Sequence, residues 1–133
     1  MFNINHLVDP VSRAYDALSE RKDDELRLAL ADFKNAWSSE ECRKYMGDLR
    51  IVSELPGIGK EPALYLESRR GQVDHLQRYG RTMSIMASSH PVEISELRNV
   101  SGELYAILTK VKAWEEETSP DLLVSVGREE SLN

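Results

Sequence analysis

The sequence predicts an all-α fold: a compact bundle of five or six helices with a long C-terminal helix. Apolar residues recur at spacings of three and four along most of the chain, which is the periodicity of helices with one buried face. Helix start signals follow several breaks in this pattern, and no pair of segments alternates in the manner of a strand hairpin. A length of 133 residues suits one domain. We place that domain at residues 1–117 and treat residues 118–133 as a C-terminal tail that is flexible or docks on a partner.

The first two helices are predicted from their start signals. Asp9 is a good N-cap residue and Pro10 is favoured at the first helical position, so the first helix begins there and runs to about residue 21. The second helix has Asp23 and Asp24 in its first turn, where the helix dipole favours negative charge. Its apolar residues recur at helical spacing and are expected to face the core: Leu26, Leu30, Phe33 and Trp37.

A capping-box pattern opens the third helix. Ser38 stands three residues before Glu41, so the serine hydroxyl and the glutamate carboxylate are expected to cap each other's backbone amides. Gly47 lies inside this helix and weakens it by up to about 1 kcal/mol relative to alanine. The apolar spacing continues the helix to about residue 55.

Two more helices are predicted in the centre of the chain. The fourth covers about residues 62–70 and is expected to end at Gly71, because glycine is favoured just after the last helical residue. The fifth covers about residues 73–86 and contains Gly80 as a candidate bend. Its methionines are expected to fill the core.

The longest helix is predicted over about residues 92–117, after the break at Ser88-Ser89-His90-Pro91. Its apolar stripe is wide enough to face neighbours on two sides. The stripe is therefore either buried within the chain's own bundle or part of a homodimer interface. The stripe consists of Ile94, Leu97, Ser101, Leu104, Leu108 and Val111, flanked by Val100, Ile107 and Trp114.

Composition indicates a cytoplasmic protein without a membrane segment. No apolar run approaches the about 20 residues that span a bilayer, and the N-terminus lacks the pattern of a secretory signal. The lone Cys42 excludes an internal disulfide and is typical of a reducing compartment. Its basic neighbours Arg43 and Lys44 would lower its pKa if it is exposed; a partly buried, inert thiol is the alternative.

Residues for catalysis or metal binding do not cluster in the sequence. His6, His75 and His90 are far apart, and none of them stands at ligand spacing from a carboxylate. The glycine-containing segment at 57–60 lacks the spacing and the hydroxyl residue of a nucleotide-binding P-loop. We therefore expect neither an enzyme, nor a metal site, nor a cofactor.

Charge is unevenly distributed along the chain. The net charge is −6, yet residues 43–81 contain eight basic and five acidic side chains, while both flanking segments are acidic.

The basic middle contains the most informative motif, Leu55-Pro56-Gly57-Ile58-Gly59-Lys60. Glycines at this spacing permit positive φ and a tight turn, in which successive backbone amides can form an anion-binding nest. A purely structural connection between two helices is the alternative interpretation.

Residues 51–70 resemble the helix-hairpin-helix DNA-binding motif. The resemblance rests on the Leu-Pro-Gly-Ile-Gly sequence and on a small residue, Ala63, four positions after the second glycine, followed by Leu66. It implies that amides of the turn and a nearby cation bind duplex phosphates without reading the base sequence. Carried over by position, this role falls on Gly57, Ile58, Gly59 and Lys60.

Two functions follow from these observations. The first is non-enzymatic, sequence-independent DNA binding, in which Arg69 and Arg70 support the glycine turn, with Arg50 and Arg78 as further candidates; the protein would be an accessory subunit of a nucleic-acid-processing complex. The second is a helical protein-interaction module, an adaptor, inhibitor or small subunit that uses the long helix or the tail and does not contact nucleic acid.

Overall fold

The structure is a computed structural model that describes residues 2–54, 68–89 and 93–117. These residues form five helices and no strand, which confirms the all-α prediction and the long C-terminal helix. The tail at 118–133 lies outside the described residues, as does the glycine turn. The helices are α1 (Asn5–Glu20), α2 (Asp23–Trp37), α3 (Glu40–Glu54), α4 (Arg69–Ala87) and α5 (Ile94–Glu117).

Four of the helices form a closed ring, and the fifth lies outside it. α1 packs on α2, α2 on α4, α4 on α5, and α5 returns to α1. α3 packs against the outside of this ring, mainly on α4 and to a smaller extent on α2. The ring encloses the core, whose largest fully buried side chains include Leu7, Phe33, Leu76, Met83, Leu97, Leu104 and Leu108, together with Leu49 from α3. Burial of each such side chain stabilises the fold by about 1.5–3 kcal/mol.

α1 begins earlier than the sequence predicted. It starts at Asn5, whose backbone N–H donates to the Asn3 side-chain oxygen at 2.8 Å, and Pro10 is a buried residue inside the helix. The prediction of a start at Asp9 is therefore wrong. Asp9 instead forms an ion pair with Arg13 one turn later, at 2.9 Å. α1 ends at Glu20, and its C-cap residue Arg21 has left-handed backbone angles (φ 57°, ψ 43°) that allow a short link to α2.

The third helix is capped by Ser39, not by Ser38. The Ser39 hydroxyl oxygen accepts a hydrogen bond from the backbone N–H of Cys42 at 3.1 Å. Two consecutive serines precede the helix, and the capping-box spacing to Glu41 favoured the wrong one. The predicted helix itself is confirmed, from Glu40 to Glu54.

Gly71 lies in the first turn of α4 and does not end a helix. The Ser68 hydroxyl accepts a hydrogen bond from the Gly71 N–H at 3.0 Å and caps the start of α4. The predicted helix over 62–70 is therefore wrong at its end, since Arg69 and Arg70 form the first turn of α4; residues 62–67 lie outside the described residues. The predicted helix over 73–86 is confirmed as the larger part of α4.

Gly80 allows close contact between α4 and α2. A Cβ atom built at Gly80 would lie 2.1 Å from Cη2 of Trp37, so no larger residue fits there. The Trp37 ring stacks on Phe33, with ring centroids 5.8 Å apart. Trp37 packs against the core as predicted, and Gly80 serves this contact within a continuous helix.

The apolar stripe of α5 is buried inside the chain. α5 packs on both α1 and α4, and the stripe residues from Leu97 to Val111 are buried. Ile94 is the exception, with 48% of its surface exposed. No helix among the described residues has the length and apolar character needed to cross a membrane.

Candidate nucleic-acid interface

The basic middle of the sequence folds into α3, α4 and their connection. Of the five described helices, α4 alone has more basic than acidic residues, with four arginines against Asp74. α3 and α4 run antiparallel, because Arg70 lies near Glu54 while Arg50 contacts Asp74 and Gln77. The connection from 55 to 67 therefore joins them at one end of the pair. The predicted phosphate-binding residues of the turn, Gly57, Ile58, Gly59 and Lys60, lie outside the described residues.

Arg69 and Arg70 occupy the first turn of α4. This turn contains no acidic residue, whereas α2 and α3 both begin with carboxylates. Positive charge here adds to the positive end of the helix dipole, an arrangement that favours a bound anion. Arg70 has a carboxylate neighbour, Glu54, at 3.8 Å, but both side chains are largely exposed and such a pair contributes little. The structure thus places the two predicted arginines together, directly after the segment that contains the turn.

Arg50 is held within the helix pair. Its Nη2 donates to Asp74 Oδ1 at 2.7 Å and also to the Gln77 side-chain oxygen, and about a third of the Arg50 and Asp74 side chains is exposed. The guanidinium charge is therefore neutralised by a partner on α4. Arg50 joins α3 to α4 and is a poor candidate for a phosphate contact.

Two arginines that the sequence did not single out lie at the opposite end of the α3–α4 pair. Arg43 and Arg81 line a cleft of ≈ 410 Å³, and among the described residues no carboxylate lies within ion-pair distance of either. We call this site the arginine cleft; its described lining consists of Trp37, Ser38, Cys42, Arg43, Met46, Gln77 and Arg81. The two arginines are distant in sequence and belong to different helices, so only the fold brings them to one cleft.

Cys42 is not an activated thiol. Only 1% of its surface is exposed, and burial raises the pKa of the thiol from 9.0 to about 11. The structure therefore agrees with the buried thiol that the sequence left open, and the condition for a lowered pKa, an exposed sulfur beside Arg43 and Lys44, is not met. The apolar surroundings of this sulfur determine its pKa, not the charges next to it in the sequence.

The exposed arginines of α4 lie along one face. Arg70, Arg78 and Arg81 are exposed, at spacings of eight and three residues. The distance along the axis from the first to the last is about 16 Å at 1.5 Å per residue. This face continues from the first turn of α4 towards the arginine cleft.

A different surface lies between α1 and α5. Tyr15 and Tyr105 flank a groove of ≈ 390 Å³ and are 41% and 42% exposed. Gly102 lies beneath Tyr15, and a Cβ atom there would be 3.4 Å from Tyr15 Cε2. Exposed tyrosines beside a groove are typical of surfaces that contact other proteins.

α3 has a second attachment at its outer side. The Tyr45 hydroxyl donates a short hydrogen bond to the Glu115 carboxylate of α5, and the Phe2 ring lies 5.3 Å from the Tyr45 ring. Burial, followed by the negative charge of Glu115, raises the pKa of Tyr45. The phenol is therefore a permanent hydrogen-bond donor that ties α3 to the end of α5.

No cluster of three or more histidine, cysteine, aspartate or glutamate side chains that could hold a metal ion occurs within residues 2–54, 68–89 and 93–117. His75 Nε2 lies 3.8 Å from the Glu103 carboxylate, a contact between α4 and α5, and the His75 ring is tilted against the Tyr79 ring with centroids 4.4 Å apart. No protein-family model, curated protein or solved structure matches the chain.

Proposed function

We propose that the protein binds DNA without enzymatic activity and without sequence preference, through the glycine turn and the start of α4. The observation that carries this proposal is the first turn of α4, which contains Arg69 and Arg70, no acidic residue, and the positive end of the helix dipole. Arg69 and Arg70 are the last two residues of the segment 51–70, which resembles a helix-hairpin-helix motif. An accessory subunit of a nucleic-acid-processing complex would use such a surface to hold a duplex.

The proposed contacts are made to phosphates. Amides of Gly57, Ile58 and Gly59 would bind one phosphate, and Lys60 would neutralise it. Arg69 and Arg70 would contact neighbouring phosphates from the start of α4, the helix into which the segment with the glycine turn leads. Contacts of this kind position a duplex without reading its bases. Because each neutralised phosphate releases counterions, the affinity depends strongly on the salt concentration.

Fluorescence anisotropy of a labelled duplex across a salt series tests the proposal. We expect binding at low ionic strength that is abolished in the Gly57→Ala, Lys60→Glu double variant. The Arg69→Ala, Arg70→Ala double variant should lower the slope of log affinity against log salt by about 2, since each lost phosphate contact removes roughly one unit.

A matched control removes two arginines elsewhere. Arg27 on α2 and Arg98 on α5 are exposed, and their replacement by alanine changes the net charge equally. This control should retain the wild-type slope. Absence of salt-dependent binding by the wild type would refute the function, while equal loss in the control would refute the site.

The groove between α1 and α5 supports a second proposal, a protein-interaction module. Tyr15 and Tyr105 offer an exposed aromatic surface, and a homodimer through the outer face of α5 is one form of this function. Sedimentation equilibrium tests the homodimer. A dimer that Tyr105→Glu converts to a monomer supports it, and a wild type that is monomeric at all concentrations refutes it.

A further inference from the structure

The arginine cleft contains positive charge from two helices. Arg43 extends from α3 and Arg81 from α4, and both line the same cleft. Within the described part of the chain neither forms an ion pair, in contrast to Arg50 and Arg70 on the same two helices. Planar guanidinium groups bind oxyanions through paired N–H donors. An anion bound in this cleft would be within the surroundings of both guanidinium groups, which have no ion-pair partner among the described residues.

The remaining lining indicates more than an isolated ion. Trp37 and Met46 give the cleft an apolar wall, while Gln77 and Ser38 add neutral polar groups. The volume of ≈ 410 Å³ is in the range of small-molecule sites. These features fit a small ligand with an anionic head and an apolar or aromatic body.

The wall of the cleft is fixed by packing. The Trp37 ring stacks on Phe33 and its far edge lies directly against Gly80, which leaves it no room to move towards α4. The backbone of α3 is fixed at the same point, where Ser39 caps the Cys42 amide. The apolar wall and the helix that carries Arg43 are therefore preformed before any ligand binds.

We propose that the arginine cleft binds a small phosphomonoester, with the phosphate between Arg43 and Arg81 and the organic part against Trp37 and Met46. A phosphate dianion matches two guanidinium charges better than a single carboxylate does.

This site is separate from the proposed DNA contact. Arg43 and Glu54 are eleven residues apart on α3, so the cleft lies about 16 Å along the helix from the end where α3 leads into the glycine turn. The inference goes beyond the proposed function and does not depend on it.

Isothermal titration of the full chain, at constant ionic strength, tests the inference with three probes: phenyl phosphate, inorganic phosphate and benzoate. We expect phenyl phosphate to bind most tightly, inorganic phosphate more weakly because it lacks the aromatic body, and benzoate at least tenfold more weakly than phenyl phosphate. The Arg43→Ala, Arg81→Ala double variant should lose at least tenfold in affinity for phenyl phosphate. The Arg27→Ala, Arg98→Ala variant is the matched control and should bind as the wild type does.

A conservative variant separates charge from geometry. Arg43→Lys with Arg81→Lys retains both charges but not the paired N–H donors, so its affinity should lie between those of the wild type and the alanine variant. Both arginines are exposed, and the variants are expected to keep the wild-type melting temperature.

Three results would overturn the inference. Phenyl phosphate could bind the alanine variant as tightly as the wild type, or benzoate could bind the wild type as tightly as phenyl phosphate. The alanine variant could also lose duplex binding as completely as the glycine-turn variant, which would make the cleft part of a DNA surface. Binding of phenyl phosphate by a wild type that binds no duplex would support the cleft and refute only the proposed DNA function.

Discussion

The two ends of the α3–α4 pair hold similar side chains in different states. At the end next to the glycine turn, Arg50 and Arg70 each have a carboxylate on the facing helix. At the other end, Arg43 and Arg81 share a cleft in which no described carboxylate neutralises them, above a tryptophan that packs on Gly80. The net charge of a segment therefore does not show where its cations are available. A close, partly buried pair such as Arg50–Asp74 removes a cation from the available charge, whereas the long, exposed Arg70–Glu54 contact does not, and only the fold shows which is which.

The largest expected effect is at Gly80, beneath the wall of the arginine cleft. Gly80→Ala would place a methyl group 2.1 Å from the Trp37 ring, which is also stacked on Phe33. We expect a loss of about 3 kcal/mol in the free energy of unfolding, as for severe overpacking. Urea denaturation measures it. Adding Trp37→Leu to Gly80→Ala should cost less than the sum of the two single changes, whereas strict additivity would show that the two residues are not in contact.

The next effect concerns Cys42 at the same end. Its pKa is raised from 9.0 to about 11, so at pH 8 the native protein holds about 100-fold less thiolate than the unfolded chain. A group with a raised folded pKa stabilises the fold below its unfolded pKa, and this stability is lost as pH rises from about 9 through 11. Alkylation by iodoacetamide should be at least 100-fold slower without urea than with it, and Cys42→Ala should flatten the fall in stability above pH 9. Equal alkylation rates would mean that the thiol is open to solvent.

A smaller effect distinguishes the two ion pairs near the glycine turn. Asp74→Ala removes the charge-assisted hydrogen bond to the half-buried Arg50, which then has Gln77 as its acceptor within the described residues, and we expect a loss of at least about 1 kcal/mol. Glu54→Ala removes only the long, exposed contact to Arg70 and should cost less than about 0.5 kcal/mol. Thermal or urea denaturation of both variants gives the comparison. A larger loss for Glu54→Ala would reverse our assignment of which pair holds the helices together.

The smallest effect is a gain in stability at Gly47. Unlike Gly80, Gly47 is exposed inside a helix, and a Cβ atom there would have no neighbour within 4 Å among the described residues. Gly47→Ala should therefore raise the free energy of unfolding by about 0.5–1 kcal/mol, through helix propensity alone. Destabilisation would indicate that something packs on this face of α3.

Periodicity was sufficient to predict the helices, while short capping motifs were not sufficient to place their ends. The apolar spacing predicted α2 and α5 closely, because many residues along each helix support the same period. Asp9, Ser38 and Gly71 each match a cap pattern, yet the chain uses Asn3, Ser39 and Ser68 near those helix starts. A glycine is favoured just after a helix and is also tolerated in a first turn, so Gly71 alone could not show whether a helix ends or begins there.

The candidate sites differ in how far the sequence could predict them. Arg69 and Arg70 belong to the same segment, 51–70, as the glycine motif, so proximity in sequence was enough to select them. Arg43 and Arg81 meet only because α3 and α4 are antiparallel, and no local pattern encodes that meeting. In the same way, the sequence left two environments open for Cys42, exposed beside two basic residues or partly buried, and only the fold shows that burial raises its pKa.

The position of α3 outside the four-helix ring has a consequence for local unfolding. α3 can separate from the ring while α1, α2, α4 and α5 still enclose most of the core, so its amides are expected to exchange with solvent deuterium through a partial opening of lower free energy. The Tyr45–Glu115 hydrogen bond and the Arg50–Asp74 pair oppose that opening. A ligand that bridges Arg43 and Arg81 would add a third restraint between α3 and the ring. Occupancy of the cleft would then be read out as slower exchange along the whole of α3, far from the ligand itself.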